Sequence, residues 1–188
     1  MGGIMRKGFT LVEMLITMLV FSITLVAIMS FFTKTAGTSL KLLNRVDTYG
    51  DLFEANSILQ QEISKAGPDI RYINLVKVKG ETKYRGLRYS VFIPLTKTKI
   101  TKQIYFYNGK IKVWEKNFQT SDFSKEKVIT VNNLEPSGVN IILSTTPKEG
   151  LEFEFTSLGT RSISYKITIN KNGTKYEHKS SVFLINIR

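Results

Sequence analysis

The sequence predicts an α+β protein in which one long N-terminal helix packs on an antiparallel β-sheet. An uninterrupted apolar run at residues 9–32 is followed by apolar residues at helical spacing as far as Ala66. Beyond Pro68 the pattern changes to alternating apolar and polar residues, with Asn-Gly pairs between the alternating segments. We therefore expect a single helix whose later part lies along one face of a sheet.

The first part of the helix, residues 9–32, is apolar on all sides and long enough to cross a bilayer, which takes about 20 residues. Glu13 lies inside this run. A carboxylate in hydrocarbon costs at least ~2.5 kcal/mol, so Glu13 needs a partner there. Arg6 and Lys7 precede the run, and the positive-inside tendency keeps that end in the cytoplasm. We expect the rest of the chain to lie outside the cytoplasmic membrane, as the head of a single-pass protein.

The second part, residues 33–67, is predicted to be an amphipathic continuation of the same helix. Its apolar residues are separated by three or four positions and form one stripe: Leu42, Leu43, Val46, Tyr49, Leu52, Phe53, Leu59 and Ile63. The order Ala66-Gly67-Pro68 predicts the end, because glycine suits the position after the last turn and proline cannot continue a helix. One helix over residues 9–66 would be ~87 Å long at 1.5 Å per residue. We expect any bend at Gly37.

Residues 68–188 are predicted to form a β-rich globular head. The pairs Asn108-Gly109 and Asn172-Gly173 are strong signals for two-residue hairpins. The predicted strands cover residues 88–93, 102–107, 110–115, 128–131, 151–155, 162–169 and a last strand running to 187. Because residues 182–185 are all apolar, we expect that last strand to be covered on both faces. Residues 117–127 are polar and are predicted to form a surface loop.

Composition limits the functions that this chain can have. It contains no cysteine, which excludes disulfides, cysteine nucleophiles and zinc–cysteine sites. No phosphate-binding loop, nucleophile elbow or metal signature is present, so we expect neither catalysis nor a cofactor. Glu152 and Glu154 on one strand face could bind calcium, and the single histidine, His178, could bind a metal or act as a base. The alternative is that all three residues simply belong to the solvent-exposed surface of a strand.

The order of residues at the N terminus resembles the prepilin signal of type IV pilins and type II secretion pseudopilins. The residues that carry the resemblance are Lys7, Gly8, Phe9, Thr10, Leu11, Val12 and Glu13, followed at once by the apolar run. An ordinary secretory signal has its small-residue cleavage site behind the apolar stretch, whereas here Gly8 precedes it. The resemblance implies a leader at residues 1–8, cleavage by a prepilin peptidase between Gly8 and Phe9, N-methylation of Phe9 and an assembly role for Glu13. The alternative is a plain single-pass anchor with a stray acid.

The predicted layout resembles the same family. This resemblance implies a structural subunit and not an enzyme. It also implies that an inner-membrane assembly platform extracts the helix from the membrane, and that the helix then packs with the helices of other major and minor pilins. The implied partner of Glu13 is the amine of Phe9, its own or a neighbour's. No proline interrupts residues 9–32, and a C-terminal cysteine pair is absent, which departs from many major subunits. Segments 61–67 and 181–186 look like those of W-type or J-type minor pilins, which favours a minor subunit at or near a fibre tip, or a minor pseudopilin of type II secretion.

A basic and aromatic stretch follows in the predicted head. It comprises Lys97, Lys99, Lys102, Tyr105, Tyr107, Lys110, Lys112, Trp114 and Lys116. Cations interleaved with aromatic rings suit a polyanion such as DNA, with charge on phosphates and rings under bases, as a DNA- or surface-binding tip subunit would need. The alternative is a solvated hairpin whose lysines protect an exposed edge from aggregation. The net charge of +12 does not decide between these two interpretations, because net charge affects only solubility and non-specific binding.

Overall fold

The computed structural model describes residues 10–187, and it has the predicted α+β architecture. One helix, α1 (Leu11–Ser64), precedes nine strands. The strands are β1 (Ile73–Val78), β2 (Gly86–Ile93), β3 (Thr98–Tyr107), β4 (Lys110–Asn117), β5 (Val128–Val131), β6 (Asn140–Ser144), β7 (Leu151–Leu158), β8 (Ser162–Lys171) and β9 (Thr174–Phe183). The chain divides into two compact units between Asp47 and Thr48, and each is described by itself.

The first unit is the part of α1 up to Asp47. Its large apolar side chains are exposed from Leu11 to Phe32. The hydroxyl groups inside the run donate to carbonyls of their own helix: Thr17 to Glu13 at 2.6 Å, Ser22 to Met18 at 2.8 Å and Thr24 to Val20 at 2.8 Å. This pattern satisfies the polar side chains within the helix itself.

The second unit, from Thr48 onward, contains two sheets. The six-stranded sheet has the order β5-β1-β2-β3-β4-β6, and the three-stranded sheet has the order β7-β8-β9. All neighbouring strands are antiparallel except β1 and β5, which pair in parallel with Leu75 opposite Val128. After β4 the chain crosses back to the other edge of the sheet. There β5 lies next to β1 and runs in the same direction as β1. The larger sheet is therefore mixed, whereas the sequence predicted antiparallel strands throughout.

One hydrophobic core joins the end of α1 to both sheets. The helix contributes Leu52, Ala55, Leu59 and Ile63, each less than 9 % exposed. The sheets contribute aromatic and branched side chains, among them Leu87, Tyr89, Ile104, Val113, Phe153, Phe155, Ile163, Tyr165 and Ile167. The predicted stripe is correct for Leu52, Leu59 and Ile63. It is wrong for Tyr49 and Phe53, which are 60 % and 75 % exposed, because Thr48 and Ala55 occupy the core-facing positions instead.

A polar cluster lies beneath the end of α1. Glu62 is only 8 % exposed, although it carries a carboxylate. It accepts a hydrogen bond from the Tyr89 hydroxyl at 3.3 Å, lies 3.9 Å from the Lys102 ammonium and pairs with Lys65. Burial is the main cause that raises the pKa of Tyr89, and the neighbouring Glu62 carboxylate raises it further. These contacts attach the helix to β2 and β3 through charge as well as through apolar packing.

The turns and the helix end follow the sequence closely. Both predicted hairpin turns have positive φ at their two central residues: 49° and 68° at Asn108 and Gly109, and 52° and 73° at Asn172 and Gly173. The helix ends at Ser64, just before the predicted stop. Gly67 has a φ of 149°, and a Cβ there would come within 2.9 Å of Asn186. Glycine is therefore required both by the backbone conformation and by the close approach of the chain's last segment.

Three expectations for the head are wrong. The last strand ends at Phe183 and not at 187. It is covered on one face only, since Phe183 and Ile185 are exposed while Val182 and Leu184 are buried. The core lies on the helix side of the three-stranded sheet, which leaves the outer side of β9 in solvent. Residues 117–127 are not wholly a surface loop, because a short 3₁₀ turn at Thr120–Asp122 buries Asp122. Strands β1 and β6 were not predicted.

Candidate functional site

Glu13 lies in the first turn of α1, where it forms a reciprocal cap with Thr10. One oxygen of its carboxylate, Oε2, accepts hydrogen bonds from the Thr10 backbone N–H at 2.9 Å and from the Thr10 hydroxyl at 3.0 Å. The Glu13 backbone N–H donates in return to the Thr10 hydroxyl at 3.3 Å. This is the capping box of the pattern Thr-x-x-Glu, which satisfies backbone donors that have no partner inside the helix. The capping box was not predicted from the sequence, although a threonine followed three residues later by a glutamate is its signal.

The predicted cleavage and methylation residues, Gly8 and Phe9, lie outside the described residues. Glu13 is therefore the one part of the predicted assembly site that the structure places. Its carboxylate contacts the backbone N–H of Thr10, the residue that follows Phe9 in the chain. A negative charge at this end of a helix is also favoured by the helix dipole.

The first part of α1 offers a large apolar surface. By length and composition α1 can cross a membrane, and none of its most apolar 18-residue window is buried. The exposed apolar side chains of the run are Leu11, Val12, Met14, Leu15, Ile16, Met18, Leu19, Val20, Phe21, Ile23, Leu25, Val26, Ile28, Met29, Phe31 and Phe32. A surface of this size is unfavourable in water and suits lipid or the apolar side chains of other proteins.

Comparison with known families agrees with this segment. Residues 5–29 match the family described as the prokaryotic N-terminal methylation motif. Neither the curated proteins nor the solved structures gave a match. The N-terminal segment is thus of the type IV prepilin kind, and the α+β head follows it. The motif and the apolar helix together support a membrane-anchored structural subunit that resembles the type IV pilins and pseudopilins. Proteins of this kind associate with other pilins and with a prepilin peptidase.

The structure distributes the nine predicted basic and aromatic residues over two faces of the six-stranded sheet. Lys102 lies on the helix side, where its ammonium is 3.9 Å from Glu62 and 3.7 Å from Glu115. Its side chain is only 12 % exposed. Lys102 is therefore part of the polar cluster beneath α1 and is separated from the other lysines of the stretch by the sheet.

Two of the three aromatic residues lie on the opposite face and are fully buried. They are Tyr105 and Trp114, and residues 132–139, here called the strap, cover them. The Trp114 indole donates to the Leu134 carbonyl at 3.1 Å, and the Tyr105 hydroxyl donates to Glu135 at 2.6 Å. Burial, followed by the hydrogen bond to Glu135, raises the pKa of Tyr105. Neither ring is available to stack on a base.

Three of the other lysines in the stretch have neighbouring partners. Lys112 lies 3.1 Å from the Glu135 carboxylate, and Lys116 pairs with Asp122. The Lys99 ammonium lies 5.6 Å from the ring centre of Tyr72 and 5.5 Å from that of Phe118. Lys97 is exposed in the β2–β3 turn, Lys110 is half-buried at the start of β4 and Tyr107 is 53 % exposed. The nine residues therefore do not form one open surface of cations and rings.

The alternative metal ligands are engaged with lysines or exposed. Glu152 lies 3.4 Å from Lys83 and Glu154 lies 2.5 Å from Lys166, so each carboxylate has its own cation. His178 is exposed on β9. Within residues 10–187 no group of three or more acidic, histidine or cysteine side chains is arranged to hold a metal ion.

Proposed function

We propose that this chain is a minor subunit of a type IV pilus-like fibre, located at or near the tip, where it helps to initiate assembly. The observation that carries the proposal is the prepilin-type motif at residues 5–29, joined to a helix whose most apolar 18-residue window is unburied. The leader at residues 1–8 is removed, residues 9–32 anchor the subunit in the cytoplasmic membrane, and the head lies outside the cytoplasm. The lack of cysteine and of proline in the apolar run supports a minor subunit.

Assembly exchanges lipid contacts of the apolar run for contacts with neighbouring helices. Because lipid is as apolar as these side chains, van der Waals packing supplies much of the association free energy. Cleavage after Gly8 creates an amine on Phe9, next to the Thr10 backbone that Glu13 already contacts. The carboxylate has further lone pairs that can accept from this amine or from a neighbour's. A charge pair in a low-dielectric fibre core fixes the axial register, since a misplaced helix leaves a buried charge without its partner.

The experiment replaces Glu13 and follows processing and incorporation separately. We expect Glu13→Gln to be cleaved and methylated normally but to enter fibres about tenfold less, because the buried charge pair is lost. Mass spectrometry of the mature N terminus reports processing, and labelling of the head on sheared fibres reports incorporation. Thr24→Val is the matched control, since this hydroxyl bonds only to its own helix in the structure.

Two further measurements complete this test. Gly8→Glu should leave the leader in place and thereby locate the cleavage site. Labelled heads should lie at fibre ends in few copies. Normal incorporation of Glu13→Gln into fibres would contradict the proposed assembly role of Glu13. Labelling along the whole shaft would contradict the proposed location at the tip.

A further inference from the structure

The two Asn-Gly turns have the same local conformation. Asn108 and Gly109 join β3 to β4, and Asn172 and Gly173 join β8 to β9. The asparagines have φ of 49° and 52°, and the glycines have φ of 68° and 73°. In a two-residue turn only the flanking residues exchange backbone hydrogen bonds, so the N–H of each glycine lies outside the ladder. A difference in chemical reactivity between the two pairs is then set by their surroundings.

An Asn-Gly pair can modify itself without an enzyme. The backbone nitrogen of the glycine loses its proton to solvent base and attacks the side-chain carbonyl carbon of the asparagine. A five-membered imide ring forms, and the amide nitrogen takes up a proton and leaves as ammonia. Water then opens the ring at either carbonyl, which gives aspartate or isoaspartate. Glycine favours the attack because it has no Cβ beside the nitrogen.

The β3–β4 turn is held by residues 146–150, here called the clamp segment. The Gly109 carbonyl accepts a hydrogen bond from the Lys148 N–H at 3.0 Å. A Cβ on Gly109 would come within 3.0 Å of the Lys148 carbonyl oxygen, so the two backbones are in contact. The Lys148 ammonium in turn pairs with Asp51 of α1 and lies 2.6 Å from Glu54. Since β3 and β4 also have a second neighbouring strand each, opening of this turn breaks contacts beyond the hairpin itself.

The β8–β9 turn lacks these restraints. Asn172, Gly173 and Thr174 are exposed, and Asn172 lines an open groove of about 670 Å³. Among residues 10–187, no atom beyond the adjoining residues lies within 4 Å of the place that a Cβ on Gly173 would take. Strand β9 pairs with β8 alone in the described part of the chain. The end of this hairpin can therefore open at the cost of its own contacts only.

We propose that Asn172 is a site of spontaneous deamidation and isomerisation, and that the fold protects Asn108 from the same reaction. Gly173 supplies the attacking nitrogen, and solvent water is the second reactant. The aspartate product keeps the turn, because aspartate tolerates positive φ. The isoaspartate product has an extra main-chain atom, which disrupts the pairing of Lys171 with Thr174. The β8–β9 turn thus changes covalently as the subunit ages, whereas the β3–β4 turn does not.

The test follows both asparagines in the same sample. The full chain in detergent is incubated in mildly alkaline buffer, and peptide mapping by mass spectrometry measures the conversion of each side chain. An isoaspartyl methyltransferase detects the isoaspartate product. We expect Asn172 to convert about tenfold faster than Asn108, because its turn opens more easily. Asn170, which no glycine follows, is the internal control and should stay unchanged.

Two comparisons ask whether the fold causes this difference. In the chain unfolded with guanidinium the two rates should agree within about twofold, because both pairs then react as the same dipeptide. Lys148→Ala removes the ion pairs that attach the clamp segment to α1, so the rate at Asn108 should rise about threefold while that at Asn172 stays the same. Lys83→Ala, which removes a distant ion pair with Glu152, is the matched control and should change neither rate. Circular dichroism verifies that both variants are folded.

Equal conversion of Asn108 and Asn172 in the folded chain would overturn the proposal, and so would a difference that persists after unfolding. The second result would mean that the flanking residues, and not the fold, set the two rates. An unchanged Asn108 rate in Lys148→Ala would overturn the protection assigned to the clamp segment. The reaction requires neither cleavage after Gly8 nor incorporation into fibres, so a negative result here leaves the proposed function standing, and the reverse also holds.

Discussion

At the scale of single residues, Glu13 has a structural task before any fibre forms. Its carboxylate caps the helix through Thr10, so a charge in the apolar run is already hydrogen-bonded within its own subunit. The cap holds the acid at the end of the helix against Thr10, which would be the second residue of the chain after the proposed cleavage. Thr10 is therefore a positioning residue for the proposed charge pair.

This view gives a prediction for Thr10. Thr10→Val removes both hydroxyl contacts of the cap and should cost about 1 kcal/mol of helix stability at that end. We expect incorporation into fibres to fall, but by less than for Glu13→Gln, because the carboxylate and its charge remain. Thr10→Ser keeps the hydroxyl and should behave as the unaltered chain does. Equal losses for Thr10→Val and Thr10→Ser would show that the cap has no part in assembly.

The N-terminal segment is also where the sequence was most informative. Gly8, Phe9 and Glu13 form a linear pattern, and a linear pattern can be read without knowledge of the fold. The basic and aromatic stretch could not be read in this way. Tyr105 and Trp114 are buried by Leu134 and Glu135, which lie 20 to 30 residues further along the chain.

At the scale of elements, the local signals were reliable and the long-range pairings were not. Both Asn-Gly turns lie where they were predicted, because two adjacent residues determine the turn. Strand β1 was not predicted, and its parallel partner β5 lies about 50 residues further along the chain, with Leu75 opposite Val128. The end of β9 was misjudged because an apolar run does not reveal whether its strand lies at an edge or within a sheet.

The attachment of α1 to the six-stranded sheet gives a second prediction. Glu62→Ala should lower the free energy of unfolding by about 2 kcal/mol, because it leaves the buried Tyr89 hydroxyl without its acceptor and Lys102 with one carboxylate fewer. Urea unfolding of the full chain in detergent, followed by circular dichroism, measures this. Gln60→Ala, at an exposed position of the same helix, is the control and should change little.

A double-mutant cycle separates the hydrogen bond from general effects of truncation. Tyr89→Phe should destabilise the unaltered chain but have little further effect once Glu62 is alanine. Additive losses would mean that the two side chains act independently, which would contradict the polar cluster described beneath α1.

At the scale of the whole molecule, the net charge of +12 does not produce a single binding surface. Lys102 and Lys116 are engaged with carboxylates, and Tyr107 is the one ring of the stretch that remains exposed. Stacking of successive bases needs several accessible rings. We therefore expect the chain to bind single-stranded DNA only loosely, through its overall charge.

A comparison of variants at low salt tests this expectation. Lys110→Gln in the stretch and Lys171→Gln at the end of β8 should weaken any DNA mobility shift equally, and Tyr107→Ala should leave it unchanged. A loss confined to Lys110→Gln and Tyr107→Ala would instead support the DNA-binding interpretation of the stretch.

The strap over the outer face of the six-stranded sheet has a practical consequence. Trp114 is the chain's only tryptophan, and its indole is held between the sheet and the Leu134 carbonyl. Its fluorescence is therefore a built-in optical reporter for that one segment. A red shift at denaturant concentrations that leave the backbone signal intact would reveal the strap detaching as a separate step.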